Sequence, residues 1–219
     1  VPKATKKIIT MLDLFSNGLQ FAVAAGSAAY MIILASKTKN QQYFILACFY
    51  VTFALGSIYW LIYLLKSGFT PRFFYVSDLS WIASYLFLMM LCVSVASPEE
   101  KGYRPAAAWI VTAILTAMTV YMLQKGDIIV TLIWNGLTIA CGFLSVRGFL
   151  SARKKIEKAR EKQVFYGTVI ALVIIEFGLW MASCFFYEVT WSNPYIWFDM
   201  ALTCSLVALL FAAKKVIGP

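Results

Sequence analysis

The chain has 219 residues, of which 62% are hydrophobic and 13% charged, and it contains no His. With a mean hydropathy of +0.78, that much apolar surface cannot be hidden inside a water-soluble domain of this size, so the composition excludes soluble classes and points to an integral membrane protein. The net charge of +9 invites a nucleic-acid reading, but the basic residues fall between apolar stretches, as the positive-inside rule places them, and no nucleic acid is expected as a partner.

Seven apolar stretches follow one another. Each is long enough to cross a hydrocarbon core of roughly 30 Å as a helix, and none alternates as a barrel strand does. The first, Ile8 to Ser36, is longer than a signal-peptide core, and its small residues Ala22, Ala24 and Ala25 have no polar cleavage region after them, so it is expected to stay in the mature protein. It holds Asp13, which is expected at the interface, and the run "SNGLQFAVAAG" (Ser16 to Gly26). The second, Gln42 to Leu65, contains "FALGSIYWLIYLL" with Tyr59, Trp60 and Tyr63. The third, Tyr75 to Ala96, opens on "YVSDLSWIASYLFLMML" and carries Asp78 about one turn inside. The fourth, Pro105 to Leu123, has no charged residue. The fifth, Asp127 to Phe149, contains "WNGLTIACGF" (Trp134 to Phe143). The densest basic cluster, "RKKIEKAREKQ" (Arg153 to Gln163), follows as a loop. The sixth, Phe165 to Tyr187, contains "IEFGLWMASCFFY" with Glu176, and the seventh, Tyr195 to Val216, contains "WFDMALTCSL" with Asp199.

The basic loop sets the topology. Placed inside, it puts Lys214, Lys215 and "KTKNQQ" inside and the amino terminus outside, although Lys3, Lys6 and Lys7 pull the other way. The order Asn-Gly-Leu, basic loop, Gly with aromatics, Asp then occurs twice. The chain thus reads as one all-α membrane domain: a repeat over about residues 8–97, a linker helix over about 105–123 and a second, parallel repeat over about 127–217. No soluble output module is expected. Five Cys, namely Cys48, Cys92, Cys141, Cys184 and Cys204, fall within the spans without a CxxC pair, and are read as small buried hydrophobes rather than metal ligands. Gly18, Gly26, Gly56, Gly136, Gly142 and Gly178 are expected where helices approach closely.

The three-one-three plan resembles the superfamily that groups SWEET and PQ-loop transporters with microbial opsins, and "YVSDLSWIASYLFLMML" looks like the opsin third-helix segment that begins with a tyrosine and a counter-ion aspartate. At the position of the opsin retinal lysine this chain has Thr203, so no covalent retinal and no other cofactor is expected. The interior prolines of the SWEET family are absent as well. The run "GSIYWLIYLLKSGFTPRFFYVSDLSWIASYL" (Gly56 to Leu86) resembles the seven-helix membrane regions that precede bacterial histidine kinases and diguanylate cyclases. These resemblances imply a cytoplasmic membrane of bacterial type and either transport or sensing.

A carboxylate within a membrane span costs roughly 2.5 to 3.5 kcal/mol on insertion scales, so such acids face a cavity, a partner or the interface. Asp78 and Asp199 are therefore read two ways. They cap helix amino termini at the interface, or they share one outward pocket at the seam between repeats. Trp81 and Tyr85 fall on the Asp78 face, Thr203 on the Asp199 face, and Tyr59, Trp60, Trp180, Asn17 and Asn135 at about the same depth. Two acids among aromatics and amides suit a small cationic or zwitterionic solute. Glu176 lies too deep to snorkel, which suits proton coupling. With no familiar active-site motif, an enzyme is the less favoured class. The leading expectation is a transporter or facilitator of a small polar solute. The alternatives are a receptor-like sensor signalling through a separate partner, and an intramembrane aspartate-dependent lipid hydrolase. Whether the chain works alone, as a homo-oligomer or beside a partner is left open.

Overall fold

The computed structural model describes residues 11–68, 75–125, 127–153, 158–186 and 191–218. All regular structure among them is α-helical, in eight helices: α1 (Met11–Thr38), α2 (Gln41–Ser67), α3 (Tyr75–Val95), α4 (Pro98–Gly102), α5 (Ala106–Met122), α6 (Ile128–Ala152), α7 (Ala159–Phe185) and α8 (Pro194–Ile217). Six of them, α1, α2, α3, α6, α7 and α8, are long and apolar enough to cross a membrane, and α5 is a shorter apolar helix. The chain is a helical membrane bundle.

Local chemistry sets the helix ends. Asn40 starts α2 by accepting the Gln42 N–H at 2.8 Å, Asp127 starts α6 by accepting the Val130 N–H at 3.0 Å, and Asn193 starts α8 by accepting the Tyr195 N–H at 2.8 Å, with Pro194 behind it in the first turn. Gly68 ends α2 in the left-handed region at φ 70, where a side chain would be strained, and its N–H returns to the Leu64 carbonyl.

The helices pack in the order α1, α2, α3, α6, α7, α8, and α8 returns to α1, while α5 packs on α6. The outward faces are apolar: Phe15, Ile33, Leu55, Ile114, Leu132, Ile174 and Phe211 are all exposed, as expected of surface solvated by lipid rather than water. One half of the interior is sealed. There Leu88, Leu91, Leu206, Leu209, Phe165 and Val169 are fully buried, and the Tyr50 hydroxyl donates to the Leu206 carbonyl at 2.6 Å.

Hydrogen bonds collect several helix ends at this sealed end. Gln42 of α2 donates to the Ser94 carbonyl of α3 at 2.9 Å, Tyr43 donates to Gly218 beyond α8 at 2.5 Å, and Lys158 before α7 donates to Val216 of α8 at 3.4 Å. The short helix α4 is held to α7 here by a buried ion pair. Glu100 is 0% exposed and accepts from Lys162 Nζ at 2.5 Å and from the Tyr166 hydroxyl at 2.9 Å. The Tyr166 ring in turn lies over Gly148 of α6, where an added Cβ would meet it at 2.3 Å.

Several sequence expectations are corrected here. The sixth span begins at Ala159, because Ala, Arg, Glu, Lys and Gln are strong helix formers and continue the helix into the basic stretch. Residues 154–157 of that stretch, the start of the first span at Ile8, and Lys3, Lys6 and Lys7 lie outside the described residues. Gly56, Gly142 and Gly178 do receive a neighbouring side chain, from Trp81, Leu115 and Phe198, but Gly18, Gly26 and Gly136 have nothing within 4 Å of a built Cβ. Cys92 and Cys141 are buried, whereas Cys204 is exposed beside Val207 and Phe211 on the outward face of α8. Asp13, in the first turn of α1, is buried against the bundle at 6% exposure.

Candidate functional site

The other half of the bundle holds a cavity of about 440 Å³. Its wall takes residues from six helices: Asn17 and Gln20 of α1, Phe53 and Trp60 of α2, Asp78 and Trp81 of α3, Val130 and Trp134 of α6, Glu176, Leu179, Trp180 and Ser183 of α7, and Tyr195, Asp199 and Leu202 of α8, with the α6 cap Asp127. Four carboxyl groups and four indoles line it, and among the described residues no Lys or Arg does.

Helical periodicity explains who faces inward. Ser16 and Gln20 are one turn apart on α1 and reach the same carboxyl group of α8: Ser16 Oγ donates to Asp199 Oδ2, and Gln20 Nε2 donates to Asp199 Oδ1 at 3.1 Å. Gln20 Oε1 accepts from Ser57 Oγ of α2 at 3.4 Å, which fixes the amide. Asp199 is 5% exposed and tied to α1, so it does not cap its own helix; Asn193 does that. Glu176, 4% exposed, accepts from the Tyr85 hydroxyl of α3 at 3.0 Å, a bond between α7 and α3 across the bundle. Asp78 is 8% exposed and has no hydrogen-bond partner among the described residues. Asp127 is its electrostatic neighbour, as Asp199 is that of Glu176.

The indoles form a continuous group. Trp81 lies 5.9 Å from Trp60 and 6.3 Å, edge to face at 77°, from Trp134; Trp134 lies 5.7 Å from both Trp180 and Tyr85. Gly56 makes this possible, because an added Cβ would sit 2.6 Å from Trp81 Nε1. Each residue holds the next in a fixed rotamer.

Of the residues singled out in the sequence, Asp78, Asp199, Trp60, Trp81, Trp180, Asn17 and Glu176 line this one cavity. Tyr85 acts behind the wall through Glu176. Tyr59 is not in the wall and stacks with Tyr63 at 6.4 Å. Asn135 faces α5, where its amide donates to Met122 Sδ at 3.7 Å, and the Thr203 hydroxyl is satisfied by the Asp199 carbonyl at 3.1 Å. Ser16, Gln20, Asp127, Trp134 and Tyr195 were not singled out. Ser16 and Gln20 stood in plain view, at helical spacing beside Asn17.

The fold and the cavity define a class: a helical membrane protein with an acid-lined aromatic pocket inside one half of its bundle. No known family model matches the chain, nor does any curated protein or solved structure. Among the described residues no group of three or more His, Cys, Asp and Glu could hold a metal ion.

Proposed function

We propose that the protein is a membrane transporter or facilitator for a small organic cation, which it takes up in the cavity between two three-helix units. One observation carries the reading: all six principal helices contribute to one cavity that offers several carboxyl groups, several indole faces and, among the described residues, no opposing cation. Charge pairing and cation–π attraction are both strong where water is excluded, and together they select a positive, partly apolar solute.

Helix order supports the two-unit view. The third helix of the first unit, α3, meets the first of the second, α6, and the third of the second unit, α8, meets the first of the first, α1. Exchanging the units leaves that pattern unchanged, as an approximate two-fold axis along the bundle would. Within each unit a Gly of the middle helix receives an aromatic ring of the third, Gly56 from Trp81 and Gly178 from Phe198. On this reading α5 is a seventh span; its 17 residues reach about 26 Å, enough for a thin or tilted crossing.

Charge supports an orientation with the amino terminus outside. Among the described residues the sealed end carries Lys37, Lys39, Lys101, Arg104, Arg153, Lys158, Lys214 and Lys215 with Glu99, Glu100 and Glu161, and the cavity end carries Lys66 and Lys125 with Asp13, Asp78, Asp127 and Asp199, so the basic excess lies at the sealed end. Basic ends face the cytoplasm. In a Cys-free background, Cys placed at Ser192 is expected to react with an impermeant reagent from outside, and Cys placed at Lys158 only after the inside is exposed; the reverse pattern inverts the orientation.

The decisive test is uptake. In proteoliposomes, wild-type protein is expected to accumulate labelled alkylamines, with a pH gradient setting the extent. Glu176→Gln keeps an acceptor for the Tyr85 hydroxyl, so it is expected to fold and bind, yet to lose the dependence on the pH gradient. Binding without any translocation by the wild type would assign the cavity to a sensor.

A further inference from the structure

The acids of the cavity fall into two pairs at different seams. Asp78 of α3 and Asp127 at the start of α6 stand where those two helices pack together, and Glu176 and Asp199 stand where α7 packs on α8. Asp127 is the electrostatic neighbour of Asp78 and Asp199 that of Glu176, while Asp13 of α1 is the acid nearest in effect to Asp199. The pairs differ in how they are satisfied. The second is held by protein donors: Ser16 and Gln20 serve Asp199, and Tyr85 serves Glu176. In the first, Asp127 spends an oxygen on the Val130 N–H, and Asp78 is nine-tenths buried, in the cavity wall, with no hydrogen-bond partner among the described residues.

Asp78 turns its carboxyl group onto the cavity with the exposed Asp127 beside it, and a carboxylate that meets a second acid and no protein donor is held at an electrostatic cost. One ammonium group seated at Glu176 and Asp199 leaves that cost in place. A second ammonium group at Asp78 and Asp127 removes it. Beside Asn17, Gln20 and Ser183 the rest of the wall is mainly indole and aliphatic, Trp81, Trp134 and Leu202 among it, which suits methylenes.

We infer that the cavity is built for a dication: a flexible aliphatic diamine or polyamine with one ammonium group at each acid pair and its methylene chain against the indoles. This rests on the reading of the cavity as a cation site and names the class of solute it takes.

The test is a titration of intrinsic tryptophan fluorescence in nanodiscs, comparing α,ω-diamines of three to eight methylenes with n-alkylamines of equal length. The best diamine is expected to bind at least about tenfold more tightly than its monoamine, with affinity passing through a maximum as the chain lengthens. Asp78→Asn is expected to erase most of that advantage. Asp127→Asn, which keeps a good helix cap, is expected to do the same and serves if Asp78→Asn does not fold. Equal affinity for diamines and monoamines, or an advantage that survives both substitutions, overturns the inference and leaves the cation site standing. Binding of neither class overturns the cation site itself.

Discussion

Glu100→Gln will destabilise the protein by about 3 to 5 kcal/mol, the usual cost of removing one partner of a buried ion pair. Glu100 is fully buried between Lys162 and Tyr166, and the neutral amide leaves the Lys162 ammonium with an uncompensated charge in a site only 10% exposed. The loss is therefore dominated by the stranded lysine, not by the missing attraction. Thermal or denaturant unfolding in detergent measures it, and the double variant Glu100→Gln with Lys162→Met should recover most of the stability, because removing both charges also removes the desolvation they demand. Tyr166→Phe loses one hydrogen bond and should cost less, about 0.5 to 1.5 kcal/mol. Equal losses in the single and double variants would show that α4 is held by packing alone.

Asp199→Asn will cost more in binding than any other single change in the cavity. Asn keeps an oxygen for the Ser16 hydroxyl, so that tie between α1 and α8 persists while the charge goes, but its amide N–H2 faces the Gln20 Nε2 donor and the Gln20 bond is lost. Removing one partner of a desolvated charge pair costs about 2 to 5 kcal/mol, a loss of affinity of roughly thirtyfold or more. Titration with n-butylamine measures it, read beside unfolding curves that should show only the loss of the Gln20 hydrogen bond, about 0.5 to 1.5 kcal/mol. An unaltered affinity would move the ammonium site away from Asp199. At Glu100 the partner is the protein's own cation and the penalty appears in folding, whereas at Asp199 the proposed partner is a solute and the main penalty is expected in binding.

The amino-acid sequence by itself determined the helices and singled out Asp78 and Asp199, leaving open whether they cap helices or share a pocket. Apolar length, Asn and Asp caps and the glycine after Ser67 mark element ends through local energetics, and these act over a few residues, so six of the seven expected spans begin or end within about three residues of the observed helices where both are described. Asp78 and Asp199 stood out because a membrane span tolerates a carboxyl group only for cause. What only the tertiary structure decided is which residues meet. Asn17 and Asn135 look equivalent in sequence, yet one lines the cavity and the other faces Met122, because α5 packs on α6. Nothing in the sequence marks Glu100, which α4 brings to Lys162, 62 positions away. Such contacts depend on helix rotation and packing across the bundle, which hydropathy leaves undetermined when the outward face is as apolar as the core.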